Sequence, residues 1–189
     1  VPSKPFGDAE EFNWSPDGKS IAFNAREAGK SEPWSTNFDV FVTPADGSAA
    51  PRNLTASNKA WDATPAYSAD GRTIYYRAMK RPGFEADRFG LMALDIASGK
   101  SREIDPAWDR SADNIRLSAD GRHIYSTASD MGEHPLWSID IATGKATKIA
   151  GQGSISGFEL EGDTLVFTRN SLKSPDVLFA ARADGSAVR

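Results

Sequence analysis

A chain of 189 residues has the length of one domain or slightly more. Its 22 basic and 26 acidic residues give a net charge of −4, so no basic surface is available for nucleic acid or anionic lipid, and neither is expected as a partner. The absence of cysteine excludes disulfides, thiolate catalysis and cysteine-ligated zinc. No apolar run reaches the roughly 18 residues of a membrane span.

Internal repeats organise the chain. A Ser-x-Asp-Gly motif, preceded by an aromatic or leucine side chain and followed by a β-branched run, occurs at residues 14–23, 67–76 and 117–126, with a weaker copy at 160–167. A second motif places glycines at Gly47, Gly99, Gly144 and Gly185, spaced 52, 45 and 41 residues apart. This period is typical of β-propeller blades and not of helical repeats.

Each repeat predicts short antiparallel strands, because Ser-x-Asp-Gly supplies a tight hairpin turn between alternating or β-branched runs. The predicted strands are 10–14, 20–25, 38–43 and 51–55; then 64–67, 73–78, 89–95 and 101–104; then 113–118, 122–127, 135–141 and 145–149; and finally 156–160, 164–169 and 176–181. Gly and Pro interrupt every candidate helical period. We therefore expect an all-β fold.

The predicted domain is a partial propeller that spans residues 1–189. Its four-stranded antiparallel blades lie at 9–55, 62–104, 113–149 and 156–189, as an arc of a larger ring. Residues 187–189 are all that remain for the last outer strand, and the chain starts at Val1 without an initiator methionine, so we expect a piece of a longer chain. The blade edges that such an arc exposes favour self-association.

Several segments resemble the amino-terminal propeller of bacterial prolyl-oligopeptidase-type (S9) serine peptidases, in the branch of acylaminoacyl peptidases and dipeptidyl aminopeptidases. The segments that carry the resemblance are 34–39, 53–55, 60–62, 79–89 and 108–111. The Trp-Ser-Pro-Asp-Gly-Lys sequence at 14–19 is more general, because TolB-like and other propellers of WD40-like repeats share it.

The resemblance implies a seven- or eight-bladed propeller that caps an α/β-hydrolase domain with a Ser-Asp-His triad and admits only short peptides. The partners it implies are that hydrolase domain and a peptide substrate. The catalytic domain itself is absent from this chain. The resemblance is bacterial, and both the periplasm and the cytoplasm stay open as compartments.

No catalytic residue, cofactor site or metal site is expected in this chain. The nearest string to a Gly-x-Ser-x-Gly nucleophile elbow is residues 153–157, whose central residue is Ile155. His123 holds a hairpin position by register, and His134 is interpreted as a solvated loop residue. Two separated histidines supply neither a triad nor the three or four ligands of a zinc site.

Residues 80–88, between the second and third strands of the second blade, carry more charge than a hairpin connection requires. We predict that Glu85, Asp87 and Arg88 contact the terminus of a peptide substrate, because carboxylates bind ammonium groups and arginine binds carboxylates in a fork. The alternative is a salt-bridged loop that stiffens the blade or docks on the hydrolase domain.

The equivalent connection of the first blade, residues 26–37, is expected beside this loop. It carries Glu27, Lys30, Glu32 and Trp34. Trp34 is expected in a loop, whereas register places the other tryptophans in the core or between blades: Trp14, Trp61, Trp108 and Trp137.

Two functions are considered, the first implied by the S9 resemblance and the second by the more general TolB-like repeat. The first is a gating, substrate-selecting propeller fragment of an S9-type serine peptidase that acts on short or amino-terminally blocked peptides and is itself catalytically silent. The alternative is a stand-alone TolB-like propeller that binds a protein partner.

Overall fold

The computed structural model describes residues 11–26 and 29–189. The regular structure of these ranges is almost entirely antiparallel β, arranged in four sheets, with a short 3₁₀ helix at Gly29–Trp34. Within the same ranges, no helix has the length and apolar character that crossing a membrane would take.

Each sheet is a meander whose strands pair in the order of the chain. Sheet I contains β1 (Phe12–Trp14), β2 (Ser20–Arg26), β3 (Phe38–Pro44) and β4 (Arg52–Asn53). Sheet II contains β5 (Asp62–Tyr67), β6 (Thr73–Ala78), β7 (Gly90–Asp95) and β8 (Ser101–Glu103). Sheet III contains β9 (Arg116–Leu117), β10 (His123–Thr127), β11 (Leu136–Asp140) and β12 (Ala146–Ala150). Sheet IV contains β13 (Ser154–Glu161), β14 (Thr164–Ser171) and β15 (Ser174–Arg182).

The all-β class and the succession of antiparallel sheets are confirmed. Residues 9 and 10, predicted to open the first blade, lie outside the described residues. Sheet IV has three strands, and the backbone of Arg189 exchanges two hydrogen bonds with Ala180, of 3.0 and 2.9 Å. Residues 187–189, predicted to start an outer strand, are described without regular strand structure.

The Ser-x-Asp-Gly motif forms the turn between the first two strands of sheets I, II and III. In sheet I, the Ser15 hydroxyl donates to Asp17 Oδ1 at 2.7 Å and accepts the N–H of Ser20 at 2.9 Å. Gly18 takes a φ of 68°, which a residue with a Cβ rarely adopts. The Ser15 hydroxyl and the N–H of Lys19 lower the pKa of Asp17. The turn is therefore closed by the side chains of Ser15 and Asp17, by the backbone N–H groups of Lys19 and Ser20, and by the left-handed backbone of Gly18.

The sheets pack in pairs into two compact units. Sheets I and II form one unit that ends at Glu103, and sheets III and IV form the other, Ile104–Arg189. The buried cluster of the first unit contains Ala22, Val40, Tyr67, Ile74, Tyr76, Ala78 and Leu94. That of the second contains Tyr125, Leu136, Ala150, Ile155, Phe158, Leu165, Phe167 and Ala181. Each cluster draws on both of its sheets, so burial of these apolar faces holds the pair together.

An isolated parallel β-bridge joins the two sheets of each unit. In the first unit it pairs Phe38, at the start of β3, with Trp61, just before β5. In the second it pairs His134 with Ser154, through His134 N–H to Gly153 O (3.1 Å) and Ile155 N–H to His134 O (2.9 Å). The third-strand region of one sheet thus touches the start of the next sheet at the same place in both units.

The predictions for the tryptophans are confirmed in part. Trp61 stacks on Phe38 with ring centroids 4.7 Å apart, and Trp108 packs edge-on against Trp137 at 5.4 Å, as expected. The prediction for Trp14 is wrong, because its side chain is 52% exposed on the edge strand β1. Sequence register placed it on a strand, but an edge strand has a neighbour on one side only.

Candidate functional site

The connection between β6 and β7, residues 80–88 (the 80–88 loop), holds the charged residues that the sequence analysis selected. The loop folds as two successive turns: Phe84 N–H donates to Arg81 O at 3.3 Å, and Asp87 N–H donates to Phe84 O at 3.1 Å. Gly83 at the tip has a φ of 74°, so the reversal of the chain there depends on glycine.

Asp87 closes the loop on itself. Its Oδ2 accepts the backbone N–H groups of Lys80 and Arg81, each at 2.8 Å. Burial would raise the pKa of Asp87, but the N–H groups of Lys80, Arg81 and Arg88 outweigh it and hold the pKa below its ordinary value. The carboxylate therefore stays charged and ties the two ends of the loop together.

Arg88 is held by Glu103 on the outer strand β8. The Arg88 guanidinium pairs with Glu103 Oε1, and Lys80 Nζ lies 2.6 Å from Glu103 Oε2. Burial of Glu103 opposes ionisation, yet the hydrogen bond from Lys80 and the charge of Arg88 lower its pKa overall. Gly90 leaves room for the pair, because a Cβ there would lie 2.7 Å from Glu103 Oε1.

Glu85 differs from its two neighbours. Its side chain is exposed, and among the described residues no hydrogen bond or ion pair engages its carboxylate. Beside it, the Arg81 guanidinium lies 4.0 Å from the centre of the Phe84 ring, which is 40% exposed. The tip thus presents a free carboxylate next to an aromatic ring and a cation.

The base of the loop rests on aromatic packing. Phe89, the residue after the loop, meets Trp61 edge-on with centroids 5.8 Å apart, and the Arg77 guanidinium lies 4.7 Å from the Phe89 ring. Arg77 is itself fixed by a 2.8 Å hydrogen bond to Thr64 Oγ1. The loop is therefore anchored at both ends, and its tip is its exposed part.

The two long connections of the first unit lie side by side, as predicted. Gly83 N–H donates to Thr36 Oγ1 at 2.8 Å, so the tip of the 80–88 loop touches the connection of sheet I. Trp34 in that connection is 75% exposed, and Lys30 is also exposed. Glu27 lies outside the described residues.

Neither histidine is placed for nucleophilic catalysis. His123 begins β10, as its register predicted, and its Nε2 lies 3.9 Å from Asp140 Oδ2. The prediction for His134 as a solvated loop residue is wrong: Nδ1 lies 2.9 Å from Ile155 O and Nε2 lies 2.5 Å from Asp113 Oδ2. The ring links β13 to the segment before β9, because the parallel β-bridge brings β13 against it.

The remaining candidates have structural roles. The string at 153–157 opens β13, and its central Ile155 is 1% exposed, so it is a buried strand residue. Across residues 11–26 and 29–189, no three histidine or carboxylate side chains converge as a metal site. What the 80–88 loop can offer is recognition: a free carboxylate accepts hydrogen bonds from an ammonium or amide group.

Sequence reasoning did not select Glu103, on which the position of Arg88 depends. It lies in a three-residue outer strand, 15 residues after Arg88 and 23 after Lys80. Nothing in the local pattern of Ser101–Glu103 links it to the loop. The usable signal was the excess of basic side chains in a loop that must find partners on the adjacent strand.

The chain is similar to dipeptidyl-peptidase 5 of several organisms. The protein of Porphyromonas gingivalis is 33% identical over 191 residues, an alignment that covers 100% of this chain and 28% of the relative. That of Trichophyton equinum is 29% identical over 198 residues, covering 97% of this chain and 27% of the relative. No family model matches. The chain is thus homologous, over its whole length, to a segment of the S9-family dipeptidyl-peptidases 5 and spans little more than a quarter of their length.

Solved structures show the same fold. A putative TolB of Agrobacterium tumefaciens has a TM-score of 0.74 at 21% identity and covers 95% of this chain and 63% of its own. A puromycin-hydrolyzing peptidase of Mycobacterium tuberculosis has a TM-score of 0.72 at 16% identity, and the match covers 94% of this chain and 27% of the peptidase. Pyrococcus horikoshii acylaminoacyl peptidase has a TM-score of 0.67 at 17% identity, and the match covers 89% of this chain and 25% of the peptidase. These structures confirm the fold, and the similarity to dipeptidyl-peptidase 5 confirms the resemblance to S9 peptidases.

Proposed function

We propose that this chain is part of the substrate-selecting propeller of an S9-type serine peptidase, in which it admits short or amino-terminally blocked peptides and leaves cleavage to an α/β-hydrolase domain of the parent chain. The observation that supports this function is the whole-length homology to dipeptidyl-peptidase 5. The alternative is a stand-alone propeller that binds a protein partner. The likeness to TolB supports the fold of this alternative but not its function.

Within this function, Glu85 is the residue that meets the peptide. Its carboxylate is exposed and unengaged among the described residues, on a loop whose ends are fixed. A fixed loop loses little conformational entropy when it binds, so a free carboxylate at its tip is suited to hold the amino terminus of a peptide. A protonated amine binds through charge and hydrogen bonds, whereas a blocked terminus offers only an amide N–H.

Asp87 and Arg88 have a supporting role in this proposal. Asp87 accepts two backbone N–H groups of its own loop, and Arg88 is paired with Glu103. Both side chains therefore hold Glu85 in position. The sequence-based expectation that all three contact the substrate makes a different prediction for Arg88, and the two can be separated.

The test uses the full-length parent enzyme with Glu85→Gln and, as a matched control, Glu161→Gln, which changes an exposed glutamate at the end of β13. We expect Glu85→Gln to lower kcat/KM by about tenfold or more for peptides with a free amino terminus, the scale of one charge-assisted hydrogen bond. The kcat/KM for acylated peptides should fall less, and Glu161→Gln should leave kcat/KM unchanged. Equal kcat/KM for both variants and the wild type would contradict the role of Glu85.

Arg88→Ala tests whether Arg88 positions Glu85 or contacts the peptide itself. If Arg88 acts by holding Glu85 in position, the variant lowers the melting temperature, and Arg88→Ala combined with Glu85→Gln loses no more kcat/KM than Glu85→Gln alone. If kcat/KM falls while the melting temperature stays unchanged, the guanidinium itself contacts the peptide. Steady-state kinetics and melting curves on the same preparation distinguish the two.

A further inference from the structure

Two aspartates are buried together at the junction of sheets I and II. Asp39, the second residue of β3, is 4% exposed, and Asp62, the first residue of β5, is 0% exposed. The parallel β-bridge between Phe38 and Trp61 places the residues that follow them next to each other. Because side chains alternate along a strand, both carboxyls project from the same side of this pairing.

The two carboxyls are solvated very differently by the protein. Asp39 receives three donors: Asn53 Nδ2 at 2.9 Å, and Asn37 Nδ2 and the Thr55 hydroxyl at 3.4 Å each. Asp62 receives Asn58 Nδ2 on Oδ1 at 2.8 Å, while its Oδ2 is buried without a hydrogen-bond partner. An ionised carboxylate needs several donors, so Asp39 is built to carry the charge and Asp62 is not.

In the described part of the chain, no cation is among the groups that act on Asp62, which are Thr55, Asn58 and Asp39. The basic side chains of the neighbouring segments contact other groups: Lys80 pairs with Glu103, Lys59 Nζ donates to the Ala56 carbonyl at 2.6 Å, Arg77 donates to Thr64 Oγ1 and Arg26 donates to Ser35 O. The Thr55 hydroxyl and Asn58 face Asp62 together with the buried phenol of Tyr76. Burying a second negative charge among them without a partner is costly, so one proton must stay with the pair.

We propose that Asp62 carries this proton and that its release makes the junction of sheets I and II a pH-sensitive element of the fold. Ionised, Asp62 repels Asp39 across the Phe38–Trp61 bridge, and the contact between the two sheets loosens. The same bridge lies under the 80–88 loop, because Trp61 touches Phe89 at its base. Loss of the Asp62 proton therefore loosens the packing at the base of that loop.

The electrostatic environment agrees with this geometry. Burial, above all, raises the pKa of Asp62 from 3.8 to about 7, with a smaller contribution from the charge of Asp39, although Thr55 and Asn58 act in the opposite direction. The pKa is higher in the folded than in the unfolded chain, so the folded state binds the proton more tightly. Stability from this residue is present in full below about pH 4 and is lost as pH rises through about 7.

The first test follows the side-chain carboxyl carbons of the 189-residue chain by NMR between pH 3 and pH 9. We expect one aspartate to titrate near neutral pH in the wild type and this transition to be missing in Asp62→Asn. Asp46→Asn, a change in an exposed turn of the same unit, should keep it. A wild type in which every aspartate titrates below about pH 5 overturns the proposal, whatever the variants do.

The second test asks whether the proton controls the junction. Hydrogen exchange of residues 38–41 and 61–64, corrected for the intrinsic effect of pH, should show protection falling by roughly ten- to a hundredfold between pH 5 and pH 8. Asp62→Asn, which keeps the shape of the neutral carboxyl, should remove this dependence. A wild type whose protection is independent of pH over this interval refutes the coupling even if Asp62 titrates near neutral.

Discussion

Gly144 and Gly121 provide a direct test of how closely the turns of sheet III approach the rest of the protein. Gly121, in the β9–β10 turn, has a φ of 68°, and Gly144, in the β11–β12 turn, has a φ of 72°. A Cβ on Gly121 would meet no atom within 4 Å, whereas a Cβ on Gly144 would lie 2.1 Å from the backbone oxygen of Ile104. The two glycines therefore share their backbone strain and differ in their surroundings.

The difference sets the expected magnitudes. Alanine in a left-handed conformation costs about 1 to 2 kcal/mol, so Gly121→Ala should lower the free energy of unfolding by that amount. Gly144→Ala would place a Cβ only 2.1 Å from the Ile104 oxygen, a distance that atoms do not tolerate, against backbone that leads into the buried Asp105. Overpacking of this kind costs about 1 to 3 kcal/mol more.

Native-state hydrogen exchange of the β11 amides measures both variants, because it reports on sheet III without mixing in the other unit. We expect Gly144→Ala to reduce the free energy of opening by about 2 kcal/mol more than Gly121→Ala. Equal effects would show that the close approach of Gly144 to Ile104 is not a constraint. A larger effect at Gly121 would refute the reasoning altogether.

Three further outcomes are expected, one for the activity of the chain and two for single substitutions. The 189-residue chain alone should not hydrolyse acyl-amino-acid or dipeptidyl chromogenic substrates, and turnover abolished by a serine-directed phosphonate would contradict this. Glu103→Gln should lower the free energy of unfolding by about 1 to 2 kcal/mol at pH 7; since the pKa of Glu103 is lowered, the difference from wild type should shrink as urea unfolding is repeated toward pH 4. His134→Phe removes both ring hydrogen bonds and leaves Asp113 without the imidazole, so exchange of the Ile155 amide should speed up while that of Phe23 in the other unit does not change.

The turns were predictable because their determinants are local. Ser15, Asp17 and Gly18 close their hairpin through contacts within six residues, and the same holds for the copies in sheets II and III. Strand bounds followed within a few residues for the same reason. A repeat with one turn chemistry and one strand length needs no knowledge of distant parts of the chain.

The role of His134 was not predictable, since it depends on a partner about twenty residues away. The segment before β11 reads as a polar loop, and nothing in it announces the parallel β-bridge to Ser154. Glu103 was missed for the same reason, because its partners lie in the 80–88 loop. The sequence identified that loop by its charge, but which carboxylate stays free is decided by pairing across strands.

Asp62 illustrates a different limit. In the sequence it is one polar residue after Trp61, and period-2 patterning places it no deeper than its neighbours. Its full burial arises because sheet I covers the start of β5, which is a property of two sheets and not of one strand. Burial of a carboxyl that has one oxygen without a donor cannot be read from a pattern that assigns polar residues to solvent.

The parallel β-bridges between neighbouring sheets have a mechanical consequence. Sliding one sheet along the strand direction of its neighbour would strain both backbone hydrogen bonds of His134 with Gly153 and Ile155 together. Bonds that share a shear force break together, whereas the bonds of an outer strand pulled from its end break one after another. Each pair of sheets is therefore stiff against sliding, and under tension it should yield first by peeling at the shorter of its two outer strands, β4 in the first unit and β12 in the second.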